Sequence, residues 1–375
     1  AEKAAAGSGK TSTMVAKTGY ALHQGLAQPE QILLLAFNKD AATELASRVR
    51  NRLASFPGAE RVNAKTFSAF GLEVIGQATG QKPSLAPWLE TSGQELEAVV
   101  DIIQTLSKRD LEFKRDWDFY RVVYGRDPGK FNEAASPEAF DGAKRGFRTA
   151  DGTVVKSKEE RLIANWLFYC GVNYAYERPY EHSTASKEFR QYQPDFYYPE
   201  ISLYHEHFAL DREGKAPAHF DGDYVAGVLW KRQLHAENGT ALIETTSADL
   251  QSGVALDRLE EALVSRGVEL NFDPTRTHKG PPPVSDKELA TTLRVFQQHV
   301  KSNGLSDAQL DLAVTNQSKE GHPARLKLFL SIYRRVSTEW ERRLREASCI
   351  DFEDMLLLAA EHIESGRFES PYTFI

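Results

Sequence analysis

Near its start the chain reads AAAGSGKTSTMVAK, Ala4 to Lys17, and this stretch limits the possible folds more than any other. Gly7 and Gly9 let the backbone curl until its N–H groups face one point. Residues Ala6, Gly7, Ser8, Gly9, Lys10, Thr11 and Ser12 then make a loop suited to phosphate oxygens. Lys10 brings a positive charge to the outer phosphates, and the Thr11 hydroxyl offers a ligand to Mg2+. The helical pattern behind it, TSTMVAKTGYALHQGL, aims the positive end of its dipole at the same point. Ala4 stands where this pattern commonly has glycine. The bland alternative is a flexible Gly/Ser turn, which gives no reason for Gly-Lys-Thr to stand in phase with a helix. Such a loop belongs between a strand and a helix, so an α/β fold is expected.

The next eighty residues agree. QILLLAF, Gln31 to Phe37, is a short, fully apolar run of the kind that makes a buried parallel strand. NKDAATELASRVRNRLASF predicts a helix with Asn38 near its start, and AERVNAKTFSAFGLEVIG a further strand and turn. This alternation opens a doubly wound sheet. Residues 81–150 are mixed, with an acidic amphipathic helix around ELEAVVDIIQTLSKRDL. The Gly-, Pro-, Asp- and Lys-rich stretch from Tyr124 to Asp151 sets a boundary near residue 150. A second α/β unit runs from Lys156 to about Phe272, read as helix, strand, strand, helix, strand, helix. THKGPPPVSD follows as a stiff linker, and residues 287–366 read as almost entirely helical.

The length of 375 residues suits two or three domains, and 41% hydrophobic with 26% charged residues is globular composition. A net charge of −7 means that any nucleic-acid site is a local basic lining rather than the whole surface. Two cysteines, Cys170 and Cys349, make neither a disulfide framework nor an unaided zinc site, which fits a reducing, cytoplasmic setting. No apolar run reaches membrane-spanning length, so no membrane partner is expected.

Phe37, Asn38 and Lys39 fall at the mouth of one predicted strand, and Thr66, Phe67 and Ser68 at the mouth of the next. Open α/β sheets place their ligands there. A ring to stack a base and small donors for phosphates suit unstacked single-stranded DNA; the competing reading makes both phenylalanines core residues. In this order, AGSGKT, AFNKDAATEL, NAKTFSAFG and IDFEDMLLLAAEHI resemble the UvrD/Rep-like superfamily-one DNA helicases. The resemblance implies an ATP- and Mg2+-dependent motor with a RecA-like parallel sheet, moving 3′ to 5′ along DNA. It implies a first part of that ATPase domain at 1–80, a helical connection at 81–150, a helical subdomain at 276–366 and a return into the sheet at 367–375. PYTFI, Pro371 to Ile375, looks like the first half of the strand that ends in the family's Asp-Glu pair, so the chain reads as a fragment that does not turn ATP over by itself.

Residues 151–275 need a separate account. QYQPDFYYPEISLYHEHFAL places Asp195 just before one strand and Glu206 in the next, with a turn around Pro199–Glu200 between them. Neighbouring strands can join these carboxylates into a site for Mg2+ or Mn2+, with Glu160 on the opening helix as a third ligand. This resembles the restriction-endonuclease-like fold, inserted in some helicases of this type. The lysine expected two residues after Glu206 is replaced by Phe208, and Lys231 on a later helix is the candidate substitute for orienting a water. A non-catalytic module gripping single-stranded, junction or duplex DNA is the alternative. His205 and His207 share the strand face away from Glu206, which disfavours zinc. His235 is a weaker phosphate-site candidate. The basic run Tyr333 to Ala347 with Trp340 reads as a solvated helix with internal Glu–Arg pairs, or else as a DNA-contact face. A metabolic kinase is disfavoured, since AFNKDAATEL and AKTFSAFG have no use around a small acceptor pocket.

Overall fold

The computed structural model describes residues 10–89, 91, 93–131, 138–139, 145–187, 189–220, 222–317 and 321–375, with only the backbone of Lys10, Glu138 and Ala139. The chain divides into two compact units, one of residues 1–95, 298–304 and 340–375, the other of 96–297 and 305–339.

The first unit begins with α1 (Lys10–His23), β1 (Leu33–Ala36), α2 (Lys39–Arg52), β2 (Asn63–Thr66), α3 (Phe67–Thr79) and β3 (Ser84–Leu85). β1 and β2 pair in parallel, Leu33 opposite Asn63. On the other side of β1, Phe374 forms a parallel bridge to Ile32. PYTFI therefore enters the sheet as an extended segment. Ile32, Leu34, Val15, Leu45, Val49 and Leu53 form the core between this sheet and its helices.

The second unit contains α4 (Gln94–Arg109), α5 (Leu111–Phe119), β4 (Glu138–Ala139), β5 (Arg145–Arg148), β6 (Val154–Val155), α6 (Lys158–Tyr169), β7 (Ala175–Tyr176), β8 (Phe196–Tyr198), β9 (Leu203–Phe208), α7 (Tyr224–Asn238), β10 (Ala241–Thr246), α8 (Ser247–Ser252), α9 (Val254–Val264), α10 (Asp286–Ser302), α11 (Asp307–Asn316) and α12 (Pro323–Glu346). The last turns of α10 and α12 belong to the first unit, which β11 (Cys349–Ile350) and α13 (Phe352–Glu364) complete. The main sheet of the second unit has the order β10-β9-β8-β7, with β10 parallel to β9 and the other pairs antiparallel. β4, β5 and β6 form a small antiparallel sheet where the sequence shows only a mixed region. The Pro-rich segment is tied down: the amides of Lys279 and Gly280 both donate to the Ala150 carbonyl.

The basic run through α12 is in part solvated, with residues 345–347 exposed, and in part packed against its neighbours. Trp340 is 1% exposed. Arg334 binds Asp307 and Asp311 of α11, and Arg335 lies near Asp110, Glu112 and Asp116 around α5. Within the helix, Arg342 pairs with Glu346.

Asp351 fixes the start of α13. It is fully buried, caps the helix through the Asp354 amide (2.8 Å) and accepts from the Trp340 indole (3.0 Å). The Lys301 ammonium lies 2.6 Å from Asp351 and 2.8 Å from both Glu341 and Asp354. These acids are the only three His, Cys, Asp or Glu ligands among the described residues within 4.8 Å of one another. The ammonium holds the centre that a metal ion would need. Asp351→Ala leaves that buried cation short of a counterion and removes the helix cap. It is expected to destabilise the first unit by about 3–5 kcal/mol, read from urea unfolding, with Asp351→Asn costing less. A loss below about 1 kcal/mol would show that the network is slack.

Candidate functional site

Ala6, Gly7, Ser8 and Gly9 lie outside the described residues, as does the Lys10 side chain. Thr11 and Ser12 stand in the first turn of α1, and Ser12 Oγ accepts from Arg52 at 3.1 Å. The two predicted strand mouths are well defined. Asn38 caps α2 by accepting from the Ala41 amide (2.7 Å), and Thr66 caps α3 by accepting from Ala69 (3.0 Å). Each apolar strand thus turns into a helix at a capping residue, and the aromatic beside it is thrown outward. Phe37 is 92% exposed and Phe67 39%, with their ring centroids 5.4 Å apart. The core reading fails for both. Lys39 and Ser68 lie in the first turns of the same helices.

In the second unit the β8–β9 register sets Phe196 opposite His205. One step outward, Asp195 stands opposite Glu206. Asp195 Oδ2 accepts from the His207 amide at 2.8 Å. Glu206 is completely buried. Its Oε2 is 2.5 Å from Lys231 Nζ, and its Oε1 accepts from the Tyr192 hydroxyl at 2.6 Å. The Lys231 ammonium also lies 5.4 Å from the centre of the Phe208 ring. Lys231 thus reaches Glu206 from α7, passing over the Phe208 ring. Glu160 closes the group from α6: Ser157 caps that helix, and Glu160 accepts from the Lys156 amide (3.1 Å) and the Tyr176 hydroxyl.

Electrostatics ties the three acids together. Burial, then the charge of Asp195, pushes the Glu160 carboxyl up to about 6. The same two causes push Glu206 up to about 7, against the pull of Lys231. Carboxylate oxygens are hard donors of the kind that suit a divalent cation, but Lys231 already compensates Glu206 and the three acids do not close within 4.8 Å of one another.

His205 and His207 do lie on the opposite face: both approach Thr245 Oγ1, at 2.8 and 2.9 Å. Their other ring nitrogens are engaged by Tyr198 and Glu159, leaving none for a metal. His235 is buried, 3.2 Å from the Tyr192 hydroxyl and 2.7 Å from Thr240. It props the tyrosine that holds Glu206. Tyr192 and Tyr176 are the residues the sequence reading missed. Tyr192 had a local signal, three residues before Asp195 in QYQPDF.

A family model described as UvrD/REP helicase N-terminal domain matches residues 3–371. DNA helicase IV of Escherichia coli (strain K12) is 49% identical over 80 residues, which are 21% of this chain and 11% of that protein. No solved structure matches the chain. None of the described helices is long and apolar enough to cross a membrane.

The acid cluster has a consequence for stability. A carboxyl whose pKa is raised on folding favours the native state at low pH, and this contribution is lost as pH rises from about 4.5 through the folded values near 6 and 7. Asp195→Asn removes the charge behind part of both shifts while keeping an acceptor for His207. It is expected to raise the melting temperature at pH 8 by about 2–4 °C for each kcal/mol relieved, with the gain vanishing below pH 4.5. An equal gain at both pH values, or none, would contradict the coupling.

Proposed function

Because the chain belongs to the UvrD/REP helicase N-terminal domain family, we propose that it is the nucleotide- and strand-binding part of an ATP-driven DNA helicase moving 3′ to 5′. The observation that carries this reading is the exposed Phe37 ring beside Phe67 at the carboxyl ends of two parallel strands. A large apolar ring kept in water at such a position is suited to stacking on an unpaired base. Asn38, Lys39, Thr66 and Ser68 supply polar groups for the adjoining phosphates. Lys10 and Thr11 hold the phosphates of ATP and its Mg2+, in a motor formed from residues 1–80 and 367–375.

The unit at 151–275, flanked by helical segments at 81–150 and 276–366, is proposed to be an inserted nuclease-like domain. Its support is the order α6-β7-β8-β9-α7-β10 in a mixed sheet, which resembles the restriction-endonuclease-like core. Asp195, Glu206 and Glu160 would hold Mg2+ or Mn2+, which would supply charge neutralisation at a scissile phosphate. Lys231 would orient an attacking water from its place beside Glu206, and Tyr192 and His235 hold the carboxylate in position. A second reading, a DNA-gripping module without cleavage, is favoured by one contact: the Lys231 ammonium already neutralises Glu206 where a cation would sit.

In the full-length protein, Lys10→Ala is expected to abolish ATP binding and turnover; unchanged turnover would sink the motor reading. Phe37→Ala should weaken single-strand binding by about 1–3 kcal/mol in a protein of unchanged fold. Asp195→Ala should abolish Mg2+- or Mn2+-dependent DNA cleavage and leave ATP hydrolysis intact. If the unaltered protein cleaves nothing with either ion, the insert is a DNA-binding module.

A further inference from the structure

At the carboxyl ends of β9 and β10 the second unit holds a cavity of about 510 Å3. That size lies within the about 300–1,000 Å3 of small-ligand pockets. Its rim carries Lys130, Lys156 and Lys158 together with Phe131, His219 and Phe220. Lys156 is paired with Glu177, whereas Lys130 and Lys158 have no acidic partner among the described residues. Phe220 is 37% exposed. The floor is of the opposite character. Glu159 lies there with Ser247, whose hydroxyl donates to it at 2.5 Å, and His207 Nε2 lies 3.0 Å from the same carboxylate.

This distribution selects among ligands. A bare phosphate meets a carboxylate at the floor and is disfavoured there. A purely cationic ligand meets three lysines at the entrance. A ligand with hydrogen-bond donors at one end, a flat ring in the middle and negative charge at the other satisfies all three zones. A nucleotide has this form: base N–H groups toward Glu159, a ring against Phe220 and His219, and phosphates along the lysines. A double helix does not fit, because its bases are paired and the cavity has room for about one nucleotide. We propose that this cavity binds one unstacked nucleotide of a DNA single strand, giving the insert a strand-holding site of its own beside the Glu160–Asp195–Glu206 cluster. The Lys156 amide on Glu160 joins the two places. The inference rests on the DNA-handling reading of the insert, but not on cleavage.

The test is binding of the whole chain to a fluorescent twelve-nucleotide single strand, followed by anisotropy in excess chelator so that no metal chemistry intervenes. A Phe37→Ala background removes one contact of the motor site. Phe220→Ala should weaken the remaining binding about 5- to 100-fold. Lys130→Ala with Lys158→Ala should lower the slope of log K against log salt by about 1.4, at roughly 0.7 for each lost phosphate contact. Ultraviolet crosslinking should attach the strand to a peptide containing His219 or Phe220. Unlabelled duplex of the same length should compete at least tenfold less well than single strand. Unchanged affinity and salt slope in the variants, crosslinks confined to residues 31–80, or equal competition by duplex would each overturn the proposal. Asp195→Ala, assayed in parallel, separates the two claims: loss of cleavage with binding retained leaves the cavity assignment standing, and a protein that never cleaves leaves it equally open to these measurements.

Discussion

A carboxylate without solvent, Glu206, organises the second unit. It sits on β9, a central strand, with no exposed surface. An ionised group there costs several kcal/mol unless each oxygen is satisfied. The surrounding structure meets that requirement from three directions. α7 runs so that Lys231 reaches one oxygen, the segment before β8 brings Tyr192 to the other, and His235 and Thr240 brace Tyr192. Asp195 then adds negative charge directly across the strand pair, where it also accepts from the His207 amide. Burial first, and then this charge, raises the pKa values of Glu160 and Glu206. Groups held at such a cost are commonly functional.

The first unit shows the same logic with apolar groups. The strands are buried as hydrophobic runs, but the chain ends β1 with a phenylalanine in water and begins α3 with another. Both helices are capped by the side chain just before them, so backbone geometry is secured without the rings. The rings are left available for a partner with flat faces.

Period and turn chemistry made much of this legible. Strand alternation puts His205 and His207 on the face opposite Glu206, and the turn after Tyr198 makes Asp195 and Glu206 neighbours. The apolar run and the Asn38 cap marked β1 and α2 equally well. What stayed hidden depends on long-range pairing. β7 is two residues long and carries no period. The small β4-β5-β6 sheet lies in a region whose composition reads as loop. Lys301 meets Asp351 across fifty positions, and Arg335 meets acids of α5 more than two hundred away. Local charge spacing in α12 gives the internal Arg342–Glu346 pair, but not the contacts of Arg334 and Arg335 with acids of other helices. Strand alternation gives no lysine beside Glu206, since position 208 is Phe208, and the approach of Lys231 over that ring is set by the fold.

We propose that Asp195 and Glu206 form a divalent-ion site in a nuclease-like unit. An anomalous difference map at the manganese absorption edge, from crystals of the chain grown with Mn2+ and no nucleotide, tests it most directly. The account predicts a peak between the Asp195 and Glu206 carboxylates, with Lys231 moved off Glu206 to make room. No peak at saturating Mn2+, with the Lys231–Glu206 contact unbroken, would contradict it.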